Sequence, residues 1–449
     1  MLPPMKAAIL AAGLALGALA LAVPAASASP DTENTWDPAD QRMRGIMDLG
    51  SDEFTAEMSS SGQGVLLAGA KYRDYDATSG TWGAWRRLHR EADLVISGSN
   101  PSGDVCTAWN ADFGAAFACR PVGGAWKKLN LSTKDGATPY DISVSSDGKR
   151  ALIVWADFRS GELRSRATVY SFTSERASTV ALSNVVALEY LSAAVRLAGR
   201  EGFVILSRRG DEGSLGTSTY YRLFRPLRGW SDPQRLTLSG QDVLVSSIAT
   251  DEAKTFLAAS PVIPESPEAE PTTWWVAQLQ SDGTFSLPRE AGNSMLWPEV
   301  AASGASATLA GEHATNETLM VSTTSSFSMV PFSLEEIASP IVADTVGTLV
   351  NLDLVGQRNA EGRPGFALVA QYRGEYVPEE DWSGAWRLYS LVGFPSIVGP
   401  GLSSLTRLGT VSETETGMPA HLGGHGQYAL VLYRGGGDNF YAGVRKPLP

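Results

Sequence analysis

Short apolar runs alternate with polar, turn-rich segments along most of the chain. Eight runs recur at intervals of 40 to 63 residues, and each is bounded by Gly, Asp or Ser. They are rich in β-branched and aromatic residues, and helical periodicity is nearly absent beyond the N-terminus, except for a helical turn expected at 333–337. The pattern therefore predicts an all-β chain. The runs are 64–72, 104–109, 151–155, 202–207, 255–260, 307–311, 365–370 and 428–433.

Each run belongs to a longer unit that continues through a polar loop and a second short strand, and often ends in Gly-x-Trp and a Leu. Such ends lie at 80–88, 123–132 and 228–239, with a Phe version at 281–288. Four short strands in about 50 residues, repeated along a chain, are typical of a β-propeller, because one blade cannot bury both of its faces alone. We expect seven or eight four-stranded blades, since the first unit is compressed. An open solenoid or two sandwiches is the alternative.

The two ends of the chain predict how the ring closes. The last unit provides three strands, in HLGGHGQ, YALVLYR and NFYAGVRKPLP, and then stops. The segment 42–50, RMRGIMDLG, has strand character and precedes the first apolar run. Pairing of the N-terminal strand with the last unit would complete that blade and cover an open sheet edge. We therefore expect one propeller domain at 42–449.

The first 28 residues are predicted to be a signal peptide. Lys6 precedes an apolar run from Ala7 to Val23, and Ala26-Ser27-Ala28 matches the pattern that signal peptidase accepts. We expect cleavage after Ala28 and a flexible segment at 29–41. No later run is long enough to span a bilayer, so the protein is expected to be secreted or extracytoplasmic, without a membrane span after cleavage.

Two Cys residues, Cys106 and Cys119, are present in the whole chain. The sequence between them, TAWNADFGAAFA, predicts a hairpin that turns at Asp112 and Phe113. Such a hairpin places the two Cys directly opposite each other on neighbouring strands. Export favours a disulfide between them, and two reduced core thiols are the alternative.

Charge and motif content exclude several classes of function. The net charge is −12 and the sequence pI is near 5.0, which disfavours a nucleic-acid partner. Of the four His residues, His421 and His425 share one face of a predicted strand, but no zinc-binding or dinucleotide-binding motif has the required spacing and context. We expect neither a metal nor a cofactor.

Two segments carry a resemblance to known proteins. W-S-x-P-x-x-L-x-L-S at 230–239 and S-x-D-G-x-x-A-x-x-x-W at 145–155 resemble repeats of exported bacterial propellers related to sialidases and to WD40-like periplasmic propellers. The resemblance implies a propeller fold. Sialidases bind a carboxylate with three Arg residues and use a Tyr, a Glu and an Asp in catalysis, but their catalytic residues are not recognisable here. The box SDGTF at 281–285 differs in spacing, and no Arg-Ile-Pro motif follows the signal.

An Arg preceded by an aromatic or polar residue recurs just after five of the apolar runs. In a propeller, the loops after the second strands emerge on one face, so these Arg residues are candidate ligands for carboxylate or sulfate at the channel mouth. The alternative is that each Arg stem packs on the preceding aromatic ring while its head stays in water. The candidates are Arg73, Arg159, Arg209, Arg373 and Arg434.

Acidic insertions occupy the same predicted loops, at 208–216, 261–271, 375–381 and 435–439. Loops that vary in length on constant strands are typical of binding surfaces, whereas a solvated spacer is the alternative. We therefore add four acidic residues to the predicted binding face. They are Asp157, Asp211, Glu375 and Asp438.

The segment VSSDGKRALIVWADFRSG, residues 144–161, contains both acidic and Arg residues on the two sides of one apolar run. Asp147 and Gly148 predict a tight hairpin turn, and 151–155 a buried second strand. Asp147 and Arg159 are then about 30 Å apart, at opposite ends of the strand. We therefore expect Asp147 to be structural and keep Asp157 and Arg159 as candidates.

Two functions are consistent with these patterns. The first is a non-catalytic binding module, expected to be monomeric, that recognises a glycan or an envelope or extracellular protein through the loop-rich face. The second is a divergent sialidase-like glycoside hydrolase, which requires carboxylates from different blades to converge with the Arg residues.

Overall fold

The computed structural model is built entirely of antiparallel β-sheets in the part of the chain that it describes. Thirty-seven strands and no helix occur in this part. The described residues are Trp36, 41–43, 54–89, 94–111, 114–133, 136–159, 162–183, 189–210, 217–251, 254–262, 273–342, 345–374, 386–396, 400–410, 420–435 and 439–446.

The first strand along the chain, β1 (Gln41–Met43), belongs to the last blade, and blades 1 to 4 follow it in chain order. Blade 1 contains β2 (Phe54–Met58), β3 (Gln63–Ala68), β4 (Lys71–Asp76), β5 (Thr81–Trp82) and β6 (Arg86–Arg87). Blade 2 contains β7 (Leu94–Ser99), β8 (Val105–Ala111), β9 (Gly114–Arg120) and β10 (Lys127–Ser132). Blade 3 contains β11 (Thr138–Val144), β12 (Arg150–Arg159), β13 (Glu162–Ser171) and β14 (Arg176–Ser183). Blade 4 contains β15 (Glu189–Leu197), β16 (Arg200–Gly210), β17 (Thr217–Arg225), β18 (Gly229–Trp230) and β19 (Gln234–Arg235).

Blades 5 to 8 repeat the same order, except that a two-residue strand precedes the innermost strand of blade 5, and the strands of every blade are counted outward from the innermost one. Blade 5 contains β20 (Thr237–Leu238), β21 (Gln241–Asp251), β22 (Lys254–Pro261), β23 (Thr273–Leu279) and β24 (Arg289–Asn293). Blade 6 contains β25 (Met295–Ser303), β26 (Ser306–His313), β27 (Leu319–Thr324) and β28 (Ser333–Ile337), followed by a hairpin of β29 (Ile341–Val342) and β30 (Thr345–Val346). Blade 7 contains β31 (Thr348–Arg358), β32 (Pro364–Arg373), β33 (Trp386–Gly393) and β34 (Thr406–Thr410). Blade 8 contains β35 (Ala420–His425), β36 (Tyr428–Gly435), β37 (Asn439–Arg445) and β1.

The eight blades form a closed ring around a central channel. The innermost strand of each blade contacts that of the next blade, and β35 of blade 8 contacts β2 of blade 1. The predicted all-β, closed propeller is therefore confirmed, and the blade number is eight. All eight apolar runs contribute to second strands, which have buried neighbours on both faces.

The N-terminal strand closes the ring as predicted. β1 pairs antiparallel with β37 and becomes the outer strand of blade 8. Met43 is buried in one cluster with Phe54 and Leu66 of blade 1 and Leu430 and Phe440 of blade 8. The join between the first and last blades is therefore packed like a protein core.

One sequence-based expectation near a strand end is wrong. The helical turn expected at 333–337 is wrong, because Ser333–Ile337 forms the outer strand β28 and pairs with β27. Five residues are too few to distinguish helical from strand periodicity. Pairing with the otherwise free edge of β27 makes this segment a strand. Trp36, which lies in the segment expected to be flexible, is buried and forms a β-bridge with Arg445.

The described residues contain no helix with the length and hydropathy that a transmembrane span requires.

Candidate functional site

The connections between second and third strands open on one face of the disc, which we call the loop-rich face. They vary from Gly69-Ala70 in blade 1 to 374–385 in blade 7. Four of them contain ten Asp and Glu residues and no Lys or Arg. The strand bounds thus assign the acidic insertions to equivalent connections of the fold. The four connections are 211–216, 262–272, 374–385 and 436–438.

Arg73 does not lie where the sequence pattern placed it. It is in the middle of the third strand β4, opposite Leu66, because Gly69-Ala70 already turns the chain. Its Nε donates to the carbonyl oxygen of Gly83 over 2.6 Å, and its guanidinium lies 5.5 Å from the ring centre of Trp82. Arg73 therefore ties the outer strand of blade 1 to the blade and is separate from the other candidate Arg residues.

Asp157 is fully buried near the end of β12. Its Oδ1 accepts from Nε of Arg166 on the neighbouring strand β13 over 3.0 Å. The Arg166 guanidinium in turn lies 5.6 Å from the ring centre of Trp155. The ion pair with Arg166 in the same blade explains why the carboxylate of Asp157 is buried, and this side chain is not presented to solvent.

Arg373 and Arg434 lie at equivalent places in adjacent blades, near the ends of the second strands β32 and β36 on the loop-rich face. The side chain of Arg373 is exposed, and that of Arg434 is half-buried. The positive charge of Arg373 is close enough to lower the pKa of Glu312, although burial dominates and raises that pKa overall. Among the predicted Arg residues whose side chains are described, Arg373 and Arg434 are therefore the two that lie on the loop-rich face.

Several predicted site residues fall wholly or partly outside the described residues. Arg159 and Arg209 belong to the second strands β12 and β16, as expected, but their side chains lie outside the description. Asp211, Glu375 and Asp438 lie outside it entirely.

Asp147 occupies the turn at the other end of β12, as predicted. Its Oδ1 accepts from the Ser145 hydroxyl over 2.8 Å and from the Lys149 amide over 3.1 Å. Gly148 has a φ of 65°, which a Gly adopts without strain. Asp147 and Arg159 are thus at opposite ends of one ten-residue strand and belong to different faces of the disc.

The innermost strands carry carboxylates that the sequence reading missed. In blade 3, Asp141 Oδ1 accepts from the amide of Ile142 over 2.8 Å, and its Oδ2 accepts from the amide of Ser192 in blade 4. Burial raises the pKa of Asp141 to about 6, although these hydrogen bonds oppose the shift. The innermost strand of a blade has an edge without a strand partner. A side chain of the neighbouring blade that accepts a hydrogen bond from a backbone N–H group of this edge therefore joins the two blades.

Asp353 repeats this arrangement in blade 7. Its Oδ1 accepts from the amide of Leu354 and its Oδ2 from the amide of Leu422 in blade 8, each over 2.8 Å. Burial raises the pKa of Asp353, and the nearby charge of His421 opposes the rise. Glu299 in blade 6 lies beside Asp353, and burial and this second carboxylate raise its pKa well above the ordinary value. Burial therefore favours the protonated form of these two carboxyl groups.

A third network links blades 1, 2 and 8 beside the ring closure. Glu57 accepts from the hydroxyls of Ser97 and Ser99 over 2.5 and 2.6 Å, and the Ser99 oxygen lies 3.2 Å from Nε2 of His425. Because Ser99 donates its single proton to Glu57, His425 donates from Nε2. Burial raises the pKa of Glu57 and lowers that of His425. These groups hold the seam together.

His421 and His425 are both on β35, as the sequence suggested, but they face different partners. The ring of His421 packs edge-on against Phe54, 5.2 Å between centroids, and His425 contacts Ser99. No group of three or more His, Cys, Asp or Glu side chains in the described ranges has a geometry suited to a metal ion.

The predicted disulfide is present. Cys106 and Cys119 face each other on β8 and β9 with Cα atoms 4.1 Å apart, and both are fully buried. The expected turn at Asp112 and Phe113 lies outside the described residues, although Ala111 and Gly114 pair on either side of it. The bridge joins the two central strands of blade 2.

A subtle sequence signal marks the missed channel carboxylates. Asp141 and Asp353 are single acids between apolar residues, in PYDISV and LVNLDLVG, just before the apolar run of the same unit. Such an acid in a first strand indicates a partly buried carboxylate rather than a surface charge. The sequence does not reveal the partner, because Ser192 and Leu422 belong to the next blade.

Comparison with known proteins assigns this chain to no family. No protein-family model matches the chain, and no curated protein matches it. Similar solved structures include the Dos1 propeller, with 10% identity, a TM-score of 0.49, and coverage of 91% of this chain and 96% of that one. A functionally unknown protein from Desulfotomaculum acetoxidans DSM 771 has 11% identity, a TM-score of 0.41, and coverage of 79% and 98%. The β-propeller domain of the Trilobed protease from Pyrococcus furiosus has 10% identity, a TM-score of 0.43, and coverage of 78% and 94%. At these identities the likeness concerns the fold alone, and the strand topology establishes this chain as an eight-bladed β-propeller.

Proposed function

We propose that this protein is a non-catalytic, exported binding module that holds a glycan or a protein of the cell envelope on its loop-rich face. The observation that carries the proposal is the concentration of ten carboxylates, without a single Lys or Arg, in four connections of one face. These connections differ in length while the strands beneath them keep one topology, which is how a rigid scaffold acquires a binding surface.

The charge of this face indicates which ligands to expect. Carboxylates accept hydrogen bonds from sugar hydroxyls and form ion pairs with Lys and Arg side chains of proteins. The same charge repels the carboxylate and sulfate ligands that the Arg series alone suggested. A neutral glycan or a basic protein segment is therefore the ligand class that the loop-rich face favours.

The alternative of a divergent sialidase-like hydrolase has less support among the described side chains. Asp157 is engaged with Arg166 inside the blade, and Arg73 lies in the middle of a third strand. Three concavities in the described part have volumes of about 460, 560 and 530 Å³, and none is lined by Arg73, Arg373 or Arg434. The geometry that hydrolysis requires is not assembled by these residues.

A glycan array and a panel of fluorogenic glycosides, used with the same protein preparation, test the proposal. We expect retention of a glycan, or of a basic peptide in a parallel array, without turnover of any glycoside. A variant in which Glu265, Glu268, Glu270, Glu379 and Glu380 are replaced by Gln is expected to lose binding, because five negative charges are removed from the connections of blades 5 and 7.

A control variant changes three carboxylates of the outer strands and turns instead. Glu175→Gln, Asp232→Asn and Glu290→Gln remove exposed charges away from the loop-rich connections and are expected to leave binding unchanged. Equal loss in the control variant would contradict the proposed surface. If the protein hydrolyses a glycoside and Arg373→Ala abolishes this activity, the protein is an enzyme and the proposed non-catalytic function is wrong.

A further inference from the structure

A groove crosses the face opposite the loop-rich face. It consists of two adjacent concavities of about 560 and 460 Å³, which share Arg200, Pro226 and Leu227 in their walls. Turns of blades 3, 4 and 5 line it, and each of these turns joins a first to a second strand or a third to a fourth strand. We call these two concavities together the blade 4 groove.

The blade 4 groove is positively charged although the chain is acidic. Six cationic side chains line it against three carboxylates, whereas the whole chain has a net charge of −12. Charge of one sign in a concave site raises the local concentration of ligands of the opposite sign. The cations are Lys149, Arg150, Arg196, Arg200, Arg225 and Arg228, and the carboxylates are Asp147, Glu201 and Asp282.

Only part of this positive charge is neutralised within the fold. Lys149 pairs with Asp147 over 3.0 Å, and Nη2 of Arg225 donates to the backbone carbonyl of Asp282 over 2.9 Å. Arg200 and Arg228 have exposed side chains, and no hydrogen bond or ion pair from either guanidinium is made to another described residue. Two planar, bidentate donors therefore remain available to an anionic ligand.

An apolar residue stands beside these Arg side chains. Leu227 is 77% exposed at the turn between β17 and β18, next to Pro226. A large apolar side chain at the wall of a cationic groove favours a ligand that offers both carboxylates and apolar groups. Sulfated or phosphorylated polymers offer the charge but little apolar surface.

We propose that the blade 4 groove binds an extended acidic peptide segment of a partner protein. The carboxylates of the segment pair with Arg200 and Arg228, and an apolar side chain of the segment covers Leu227. This site is separate from the loop-rich face, so the propeller has two binding faces of opposite charge.

Fluorescence anisotropy with a labelled Glu-Glu-Leu-Glu-Glu-Leu-Glu peptide tests the proposal on the full chain. We expect binding that weakens with rising salt and a loss of about tenfold or more in Arg200→Glu/Arg228→Glu, because both reversals repel the ligand. The control Arg176→Glu/Lys128→Glu makes the same change of net charge on the outer strands of blades 3 and 2 and is expected to retain binding. Leu227→Ala is expected to weaken the Leu-containing peptide but not a polyglutamate peptide.

Each other outcome overturns the proposal. Equal weakening in both double variants means that overall charge, not the groove, attracts the peptide. Dextran sulfate that binds the groove more tightly than the peptide assigns it to an anionic polymer. Sedimentation velocity tests for self-association of the protein. If the protein self-associates and Arg200→Glu/Arg228→Glu removes this association, the groove binds a second copy of this chain.

Discussion

Met43 lies directly opposite Phe440 in an antiparallel strand pair, although the two residues belong to opposite ends of the chain. Both side chains are buried in the cluster that joins blades 8 and 1. The innermost strands of these blades also contact each other. The ring is thus closed twice, at its centre by β35 and β2 and at its edge by β1 and β37, which fixes the blades that carry the proposed binding faces.

Truncation of a buried side chain in β1 should destabilise the whole domain. Met43→Ala removes a side chain that is 2% exposed, and we expect a loss of about 3 kcal/mol in the free energy of unfolding, measured by urea denaturation. Met329→Ala is the matched control, because Met329 is 81% exposed and should change stability by less than about 0.5 kcal/mol. Equal effects of the two substitutions would argue against a packed N-terminal strand.

The disulfide should contribute measurably to stability. Replacing Cys106 and Cys119 by Ala is expected to lower the free energy of unfolding by about 2–3 kcal/mol, because the unfolded chain regains the freedom of a closed loop. Thermal melting of the variant, and of the native protein with and without reductant, checks this value. Two titratable thiols in the native protein, denatured without reductant, would show that the bridge does not form.

Asp157 should behave as a structural residue. Asp157→Asn leaves Arg166 beside a neutral partner in a buried site, and we expect a loss of about 3 kcal/mol in stability by urea denaturation. Asp242→Asn makes the same substitution in the exposed pair with Arg235 and should cost less than about 1 kcal/mol. A stable Asp157→Asn variant with impaired ligand binding would instead make Asp157 a binding residue.

The channel carboxylates should make the protein less stable as the pH rises from mildly acidic to neutral. Burial raises the pKa of Asp141 to about 6, so the folded state holds a proton that the unfolded state releases near pH 4. Its stabilising contribution is complete below about pH 4 and is lost as the pH rises through about 6. Asp141→Asn cannot titrate, and the fall in unfolding free energy between these values should become shallower by roughly 2 kcal/mol.

Asp282 provides a control of opposite sign for this pH dependence. The amide of Thr284 is the main cause that lowers the pKa of this exposed carboxyl, so its stabilising contribution is present above about pH 4 and is lost as the pH falls. Asp282→Asn should therefore not reduce the loss of stability toward neutral pH. Identical pH profiles for wild type and Asp141→Asn would contradict the role assigned to the channel carboxylate.

Local sequence patterns predicted the fold well because each blade is encoded within its own unit. The turn at Asp147 and Gly148 and the opposed Cys106 and Cys119 depend on residues close in sequence, and both predictions are confirmed. The position of Arg73 was wrong because a two-residue turn was read as part of the apolar run. That shift moved Arg73 from the end of a second strand to the middle of a third.

Contacts between blades were beyond the reach of the sequence. Asp141 bonds to Ser192 and Asp353 to Leu422, each in the next blade, and no local pattern identifies such partners. The blade 4 groove likewise combines turns of three blades, including Lys149, Arg200 and Asp282. The predicted binding residues Asp211, Glu375 and Asp438 remain predictions, because they lie outside the described residues.

Ring closure is tested most directly by a disulfide engineered between the ends of the chain. Arg42 and Tyr441 lie opposite each other on β1 and β37, as Cys106 and Cys119 do on β8 and β9. Arg42→Cys/Tyr441→Cys should form an intramolecular cross-link that mass spectrometry detects after mild oxidation, whereas Arg42→Cys/Val122→Cys, with its second site in blade 2, should not. An absent cross-link in the first variant, or links formed only between molecules, would contradict the closed propeller.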